Sequence, residues 1–245
     1  MAIKLDLVRG ELVARPNRFV FTAKVNGETV RLHCPVTGSI GGICDFSSMP
    51  CLLSPAGAGG RSTAGTVEGI SLDRGKSWIG INQNHVNRWM EQFLQENALD
   101  EMVPCAGATV SREVRVGNSR LDLCVMAGER RTYIEVKTPM RDLLLGDNVE
   151  FHRPSSSDYF ARGIKHFEEL AKLAVAGNRT VVALCCMYDA SPFRPPQTEW
   201  GRHIQEAVNR ARHCGVEMWQ VNLKLSPKRI SVASIRNMPP FFAGP

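Results

Sequence analysis

The sequence contains no run of about 18 apolar residues, so no membrane-spanning helix is expected. Its opening stretch, Met1-Ala2-Ile3-Lys4-Leu5-Asp6, lacks an apolar signal core and shows no transit-peptide pattern; a cytoplasmic location is the expectation. Cys34, Cys44, Cys51, Cys105, Cys124, Cys185, Cys186 and Cys214 are scattered, and no two stand as C-x-x-C, which argues against a zinc knuckle. Reduced thiols are the default reading. No internal repeat occurs, and no helix-turn-helix pattern is present to read bases.

What is present is ordinary globular composition, 43% hydrophobic and 22% charged over 245 residues. That length suits one large domain or two modest ones, each with its own core. The net charge of +6 favours polyanionic partners such as nucleic acid or an anionic surface.

The first third reads as short strands. Arg18 to Val25 and Glu28 to Cys34 flank Asn26-Gly27, the strongest short hairpin signal, because both turn residues need positive φ. Leu5 to Val13, Thr66 to Leu72 and Lys76 to Asn82 add three more, and Pro35 to Gly65 reads as a loop. About five strands with almost no helix suit a small β-barrel, including the OB type, over residues 1–82. The pattern then changes. Val86, Trp89, Met90, Phe93 and Leu94 recur at helical spacing. Strands are expected over Val110 to Val116, Leu121 to Val125 and Thr132 to Lys137. A helix from Ser157 to Ala176 precedes the apolar strand Thr180 to Met187, a helix spans Thr198 to Cys214, and a last strand covers Val216 to Leu223. Residues 83–245 therefore read as αβββαβαβ, a mixed sheet with helices packed on it; the whole chain is α+β with two domains.

The hairpin after Leu121 carries the chemistry. With its turn between Gly128 and Glu129, Leu121 opposes Val136, Leu123 opposes Ile134 and Val125 opposes Thr132, an apolar face expected against a helix. The other face pairs Arg120 with Lys137, Asp122 with Glu135 and Cys124 with Tyr133. Opposed carboxylates have Cβ atoms roughly 5 Å apart and repel unless a cation intervenes. Hard oxygen ligands of this kind suit Mg²⁺ or Mn²⁺. Lys137, two residues beyond Glu135, reaches the same side. An exposed ion-pair surface is the alternative on pattern alone.

Asp122 followed by Ile134-Glu135-Val136-Lys137 resembles the D…(D/E)xK signature of the PD-(D/E)XK nuclease superfamily. An ordered series of segments resembles the sugar fermentation stimulation protein (SfsA-type) family along nearly the whole chain. It includes Leu7-Val8-Arg9, Arg18-Phe19, His33-Cys34-Pro35-Val36-Thr37-Gly38, Trp78-Ile79-Gly80-Ile81-Asn82, Asn87-Arg88, Arg120-Leu121-Asp122, Glu135-Val136-Lys137-Thr138 and the run from Arg162 to Leu170. Three places depart from that family's pattern: Val36 stands where relatives usually have Asn, Ser39 stands at the next basic position, and Ser155 to Phe160 replaces a Phe-Pro-Asp-Ala stretch.

The resemblance implies an N-terminal OB-like barrel and a C-terminal restriction-endonuclease-like domain. It also implies DNA binding and a link to sugar metabolism. It gives Asp122, Glu135 and Lys137 the catalytic places, with Asp122, Glu135 and Glu91 as metal ligands. Arg162, Lys165 and His166, at the start of the next helix, are expected to meet phosphate. On the barrel, Arg9, Arg15, Arg18, Lys24 and Arg31 are the expected backbone contacts, with Arg120 joining them from the hairpin. Phe19 and Phe21 alternate in phase, and core packing is the expectation for both. The leading expectation is a DNA-binding protein of low base specificity with a Mg²⁺- or Mn²⁺-dependent phosphodiesterase site. The alternatives are a non-catalytic DNA-binding regulator that retains the nuclease fold, and an enzyme acting on a small phosphorylated substrate. A homo-oligomer is compatible with the pattern and not required by it.

Overall fold

A computed structural model describes residues 1–36, 40, 43, 45–57, 62–117, 119–139, 157–194 and 199–239; the side chains of 157–163, 199 and 200 lie outside that description. Two sheets organise the chain. The smaller is built from β2 (Val8–Asn17), β3 (Val20–Val25), β4 (Glu28–His33), β5 (Met49–Pro55), β6 (Gly65–Ile70) and β7 (Ile79–Gly80), in the order β4-β3-β2-β5-β6-β7. A parallel contact between β4 and β6, at His33 and Thr66, closes the first five strands into a barrel of OB topology. The turn between β3 and β4 has Asn26 at φ 51° and Gly27 at φ 86°, the conformation expected of Asn-Gly. Inward positions alternate, so Phe21, Ala23 and Leu32 are buried with Leu12, Leu53, Val67 and Ile70. Phe19 does not join them: it sits in the turn before β3 and is 46% exposed.

The larger sheet holds β1 (Ala2–Lys4), β8 (Thr109–Val116), β9 (Ser119–Ala127), β10 (Arg130–Lys137), β11 (Arg179–Cys186), β12 (Glu217–Leu225) and β13 (Arg229–Asn237), in the order β1-β13-β12-β11-β10-β9-β8. The β10–β11 and β11–β12 pairs are parallel and the others antiparallel, so the sheet is mixed. Helix α1 (Val86–Gln95) covers one face through Val86, Trp89, Met90, Phe93 and Leu94. Helices α2 (Ser157–Val175) and α3 (Glu199–His213) cover the other through Phe167, Leu170, Ala207, Val208 and Ala211. Strand β11 shows why its sequence is apolar throughout: Val181, Ala183 and Cys185 face α1, while Val182 and Leu184 face α2 and α3. No helix among the described residues is long and apolar enough to cross a membrane.

Three expectations need correction. The segment read as one loop from Pro35 to Gly65 contains β5, whose prolines at 50 and 55 disguised it; pairing with β2 and β6 overrides that local signal. A further strand, β13, follows the expected last one. The boundary drawn at 1–82 assigned the first residues to the barrel, whereas Ala2, Ile3 and Lys4 pair with Ser231, Ile230 and Arg229 at the edge of the larger sheet. The main chain continues that edge, with Leu5 and Leu7 donating to the carbonyls of Lys228 and Pro227.

The barrel is seated against the larger sheet through Leu7, Leu52 and Trp78, which share one core with α1 and with β9 to β13. The Gly80 amide donates to the Met187 carbonyl at 2.8 Å. A Cβ at Gly80 would stand 2.7 Å from the Met187 Cβ, so only glycine permits this approach.

Candidate functional site

Strands β9 and β10 pair in the expected register, from Arg130 with Ala127 to Ile134 with Leu123. There the ladder stops. At the next position the Asp122 carboxylate replaces a strand carbonyl: its Oδ2 accepts the Val136 amide at 2.8 Å, while Oδ1 accepts from Asn87 Nδ2 of α1 at 2.8 Å. The side-chain phase changes at the same point. Leu123 faces α1 as expected, but Leu121 is buried with the α2 and α3 layer instead of sharing its face. On the neighbouring strand β8, where Arg112 and Val114 pair with Leu123 and Leu121, the intervening Glu113 has φ 58°. A non-glycine residue there carries backbone strain of roughly 1 kcal/mol or more.

Glu135 is 2% exposed. Its Oε1 accepts from Lys137 Nζ at 2.7 Å and makes a close contact with His166 Nδ1, which lies 3.2 Å from the same ammonium. Its Oε2 is buried and has no hydrogen-bond partner among the described residues. Burial works to raise the Glu135 pKa, but His166 and Lys137 more than offset it and hold the carboxyl below the ordinary glutamate range. Asp122 goes the other way. Burial, then the charge of Glu135, push its pKa up against the hydrogen bonds from Val136 and Asn87 and the charge of Lys137. The positive charge of His166 and Lys137 thus serves Glu135 and leaves Asp122 under-compensated. A cavity of about 310 Å³, lined by Glu113, Arg120, Leu121, Asp122 and His166, opens beside them.

Asp122, Glu135 and Lys137 are thus brought together, and His166 joins them from α2. Arg120 lines the cavity, where it is ion-paired with Glu113. Lys165 is exposed on α2, and the Arg162 side chain lies outside the described residues. Glu91 is not part of the cluster. Its carboxylate is taken by Arg112 Nε of β8 at 2.6 Å, and among the described residues no three His, Cys, Asp or Glu side chains form a group able to hold a metal by themselves.

On the barrel, Lys24 and Arg31 are exposed on the outer face of β3 and β4. Arg18 stacks its guanidinium 4.6 Å from the centre of the exposed Phe19 ring, and Arg9 lies over Trp78 at 5.6 Å. Arg15 differs from the expectation of a backbone-contacting charge: it packs over Phe21 and Phe46 and donates to the carbonyls of Val36 and Arg18. The residues not foreseen are Asn87, Gln83 and Glu113. Asn87 had a legible signal, since it stands one helical turn before Glu91 on the same stripe of α1.

Two family models match the chain: the SfsA N-terminal OB domain over residues 13–81 and the sugar fermentation stimulation protein RE domain over residues 84–229. Similar proteins include sugar fermentation stimulation protein homologs of three bacteria. That of Pseudoalteromonas atlantica is 33% identical over 187 residues, covering 75% of this chain and 76% of that one. That of Geotalea daltonii is 30% identical over 236 residues, covering 94% and 96%. That of Teredinibacter turnerae is 27% identical over 243 residues, covering 96% and 98%. Among solved structures, Pyrococcus furiosus SfsA in complex with Ca²⁺ superposes with a TM-score of 0.74 at 24% identity, covering 98% of both chains.

Proposed function

The chain belongs to the sugar fermentation stimulation protein family, and from that premise we propose that it binds DNA and cleaves phosphodiesters with a divalent cation held by Asp122 and Glu135. The observation that carries this reading is the Glu135 Oε2 atom, a buried carboxylate oxygen without a donor among the described residues and beside the half-buried Asp122. Such an atom costs stability unless something positive meets it. Carboxylate oxygens suit a hard cation, Mg²⁺ or Mn²⁺ in the cell. The related P. furiosus protein was solved with Ca²⁺, an ion of the same hard class. The cation, when bound, would supply Lewis acidity and a water of lowered pKa.

The remaining roles fall to groups of the chain itself. Lys137 Nζ, close to Glu135, would stabilise negative charge gathering on a phosphate oxygen. His166 holds Glu135 Oε1, so Oε2 would be the oxygen left to hold the cation. Arg120, at the cavity wall, would orient the phosphate through its planar fork. Lys24, Arg31 and the stacked Arg18–Phe19 pair would track the nucleic-acid backbone and one base without reading sequence. This reading divides the chain after Asn82, with Ala2–Lys4 counted in the second domain.

Asp122→Ala and Glu135→Ala are expected to abolish Mn²⁺-dependent cleavage of DNA while far-ultraviolet circular dichroism stays unchanged. Wild-type protein that is inert on single- and double-stranded DNA in both Mg²⁺ and Mn²⁺ would overturn the catalytic reading. Salt-steep DNA binding that ignores Asp122→Ala would then identify a regulator that keeps the fold for binding alone.

A further inference from the structure

Where β9 and β10 part company, the main chain no longer sets their spacing. The last paired residues are Leu123 and Ile134, yet Asp122 and Glu135 lie just beyond. Buried Glu135 and half-buried Asp122 repel each other, so something must fix the gap they leave. The short segment 82–87, which joins the barrel to α1, reaches both strands. Gln83 Nε2 donates to the Thr138 carbonyl at 3.0 Å, at the exit of β10 one residue past Lys137. Asn87 Nδ2 donates to Asp122 Oδ1 on β9.

The segment is itself tied down. Asn82 is buried; its Oδ1 accepts the Asn84 amide and caps the single 3₁₀ turn Gln83–His85, and its Nδ2 donates to Glu68 Oε2 of β6 at 2.8 Å. The Ile81 amide adds a bond to the Glu68 carbonyl at 2.9 Å.

We propose that Gln83 and Asn87 are positioning residues that clamp the open ends of β10 and β9 and thereby set the separation between Asp122 and Glu135 to fit a divalent cation. This inference rests on the metal reading above. Asn87 does not touch the reacting atoms; it acts by turning one oxygen of Asp122 toward α1 and fixing the direction of the other lone pairs. An amide serves because its Nδ2 donates to a carboxylate without adding charge. Gln83 does the corresponding work on the strand that carries Glu135 and Lys137. Outer partners that orient metal ligands commonly account for 10- to 100-fold in metal affinity.

The test is Mn²⁺ titration of the full chain, read by electron paramagnetic resonance, alongside thermal unfolding of the metal-free protein. Asn87→Ala is expected to weaken Mn²⁺ binding roughly tenfold and Gln83→Ala roughly threefold, below the range of a direct partner because it acts through the strand. Asn87→Leu separates positioning from simple packing. It keeps the side chain's volume but cannot donate to Asp122, so it is expected to weaken Mn²⁺ binding about as much as Asn87→Ala. A residue needed only for packing would leave that variant with wild-type affinity, which would overturn the proposal. Variants at 83 and 87 that bind Mn²⁺ within twofold of wild type would also overturn it. Wild type that takes up no Mn²⁺ would sink the metal reading itself, and the clamp with it.

Discussion

Glu68 in the barrel and Glu135 in the larger sheet are buried almost equally, 5% and 2% exposed, and the carboxyl pKa of each is lowered despite that burial. Their surroundings differ in one respect. Glu68 has both oxygens engaged, Oε1 by Ser54 at 2.6 Å and Oε2 by Asn82 at 2.8 Å, with His85 3.7 Å from Oε1. Glu135 has one oxygen crowded by Lys137 and His166 and the other without a partner among the described residues. A closed knot and an open one of the same residue type show how burial alone misleads. A buried acid signals a ligand only when its hydrogen-bonding capacity is left over.

The largest effect should come from breaking the closed knot. Glu68→Ala leaves Ser54 and Asn82 without their acceptor in a dry joint between barrel and helix, and is expected to lower unfolding free energy by about 3 kcal/mol. Urea denaturation measures this, and the folded fraction should keep Mn²⁺ affinity within about threefold. The second effect has the opposite profile. Mn²⁺ at 100 times its dissociation constant is expected to stabilise the wild type by about 2.7 kcal/mol. Glu135→Gln should remove that gain and also lower the metal-free stability at neutral pH, because it gives up the charge that Lys137 and His166 hold. If Glu135→Gln instead unfolded the chain while Glu68→Ala left it intact, the two glutamates would have been assigned the wrong way round.

The smallest effect concerns pH. The Asp122 pKa is raised in the fold, so its protonated form is favoured there and the folded state loses stability as pH climbs past the ordinary aspartate value. Asp122→Asn is therefore expected to remove this fall in the stability of the metal-free protein between pH 3 and neutral pH. Glu135 and Glu68 have the reverse sign: their contributions are complete at neutral pH and are lost as pH falls through their lowered values. Thermal melts across pH 3 to 8 would resolve the two signs.

The part of the site that was legible in the sequence is the part set by local rules. Gly128 sets the turn, and Leu123, Val125 and Ile134 set the register by alternation, which carries the strand pairing up to the point where Asp122 and Glu135 begin. The α1 stripe and the Asn26-Gly27 hairpin were legible for the same reason. What escaped depends on residues distant in sequence. Glu91 looked like a ligand until Arg112 reached it from β8. Leu121 looked like a neighbour of Leu123 until the Asp122 carboxylate ended the ladder. Met49–Pro55 looked like a loop because its prolines speak locally and its partners do not. Arg15 looked like a phosphate contact, but the two phenylalanines beneath it and the Val36 carbonyl made it a clasp.

The path of the chain has a practical consequence. It runs as β1 along the rim of the larger sheet, then through the strands of the smaller sheet, and returns at α1, so the barrel interrupts the path of the larger sheet. A fragment cut at residue 83 would lose its outermost strand and bare the hydrogen-bonding rim of β13, an invitation to self-association. Grafting residues 1–7 onto the far terminus by a short glycine-rich linker would restore the missing rim, and circular permutation is the natural way to obtain that domain alone.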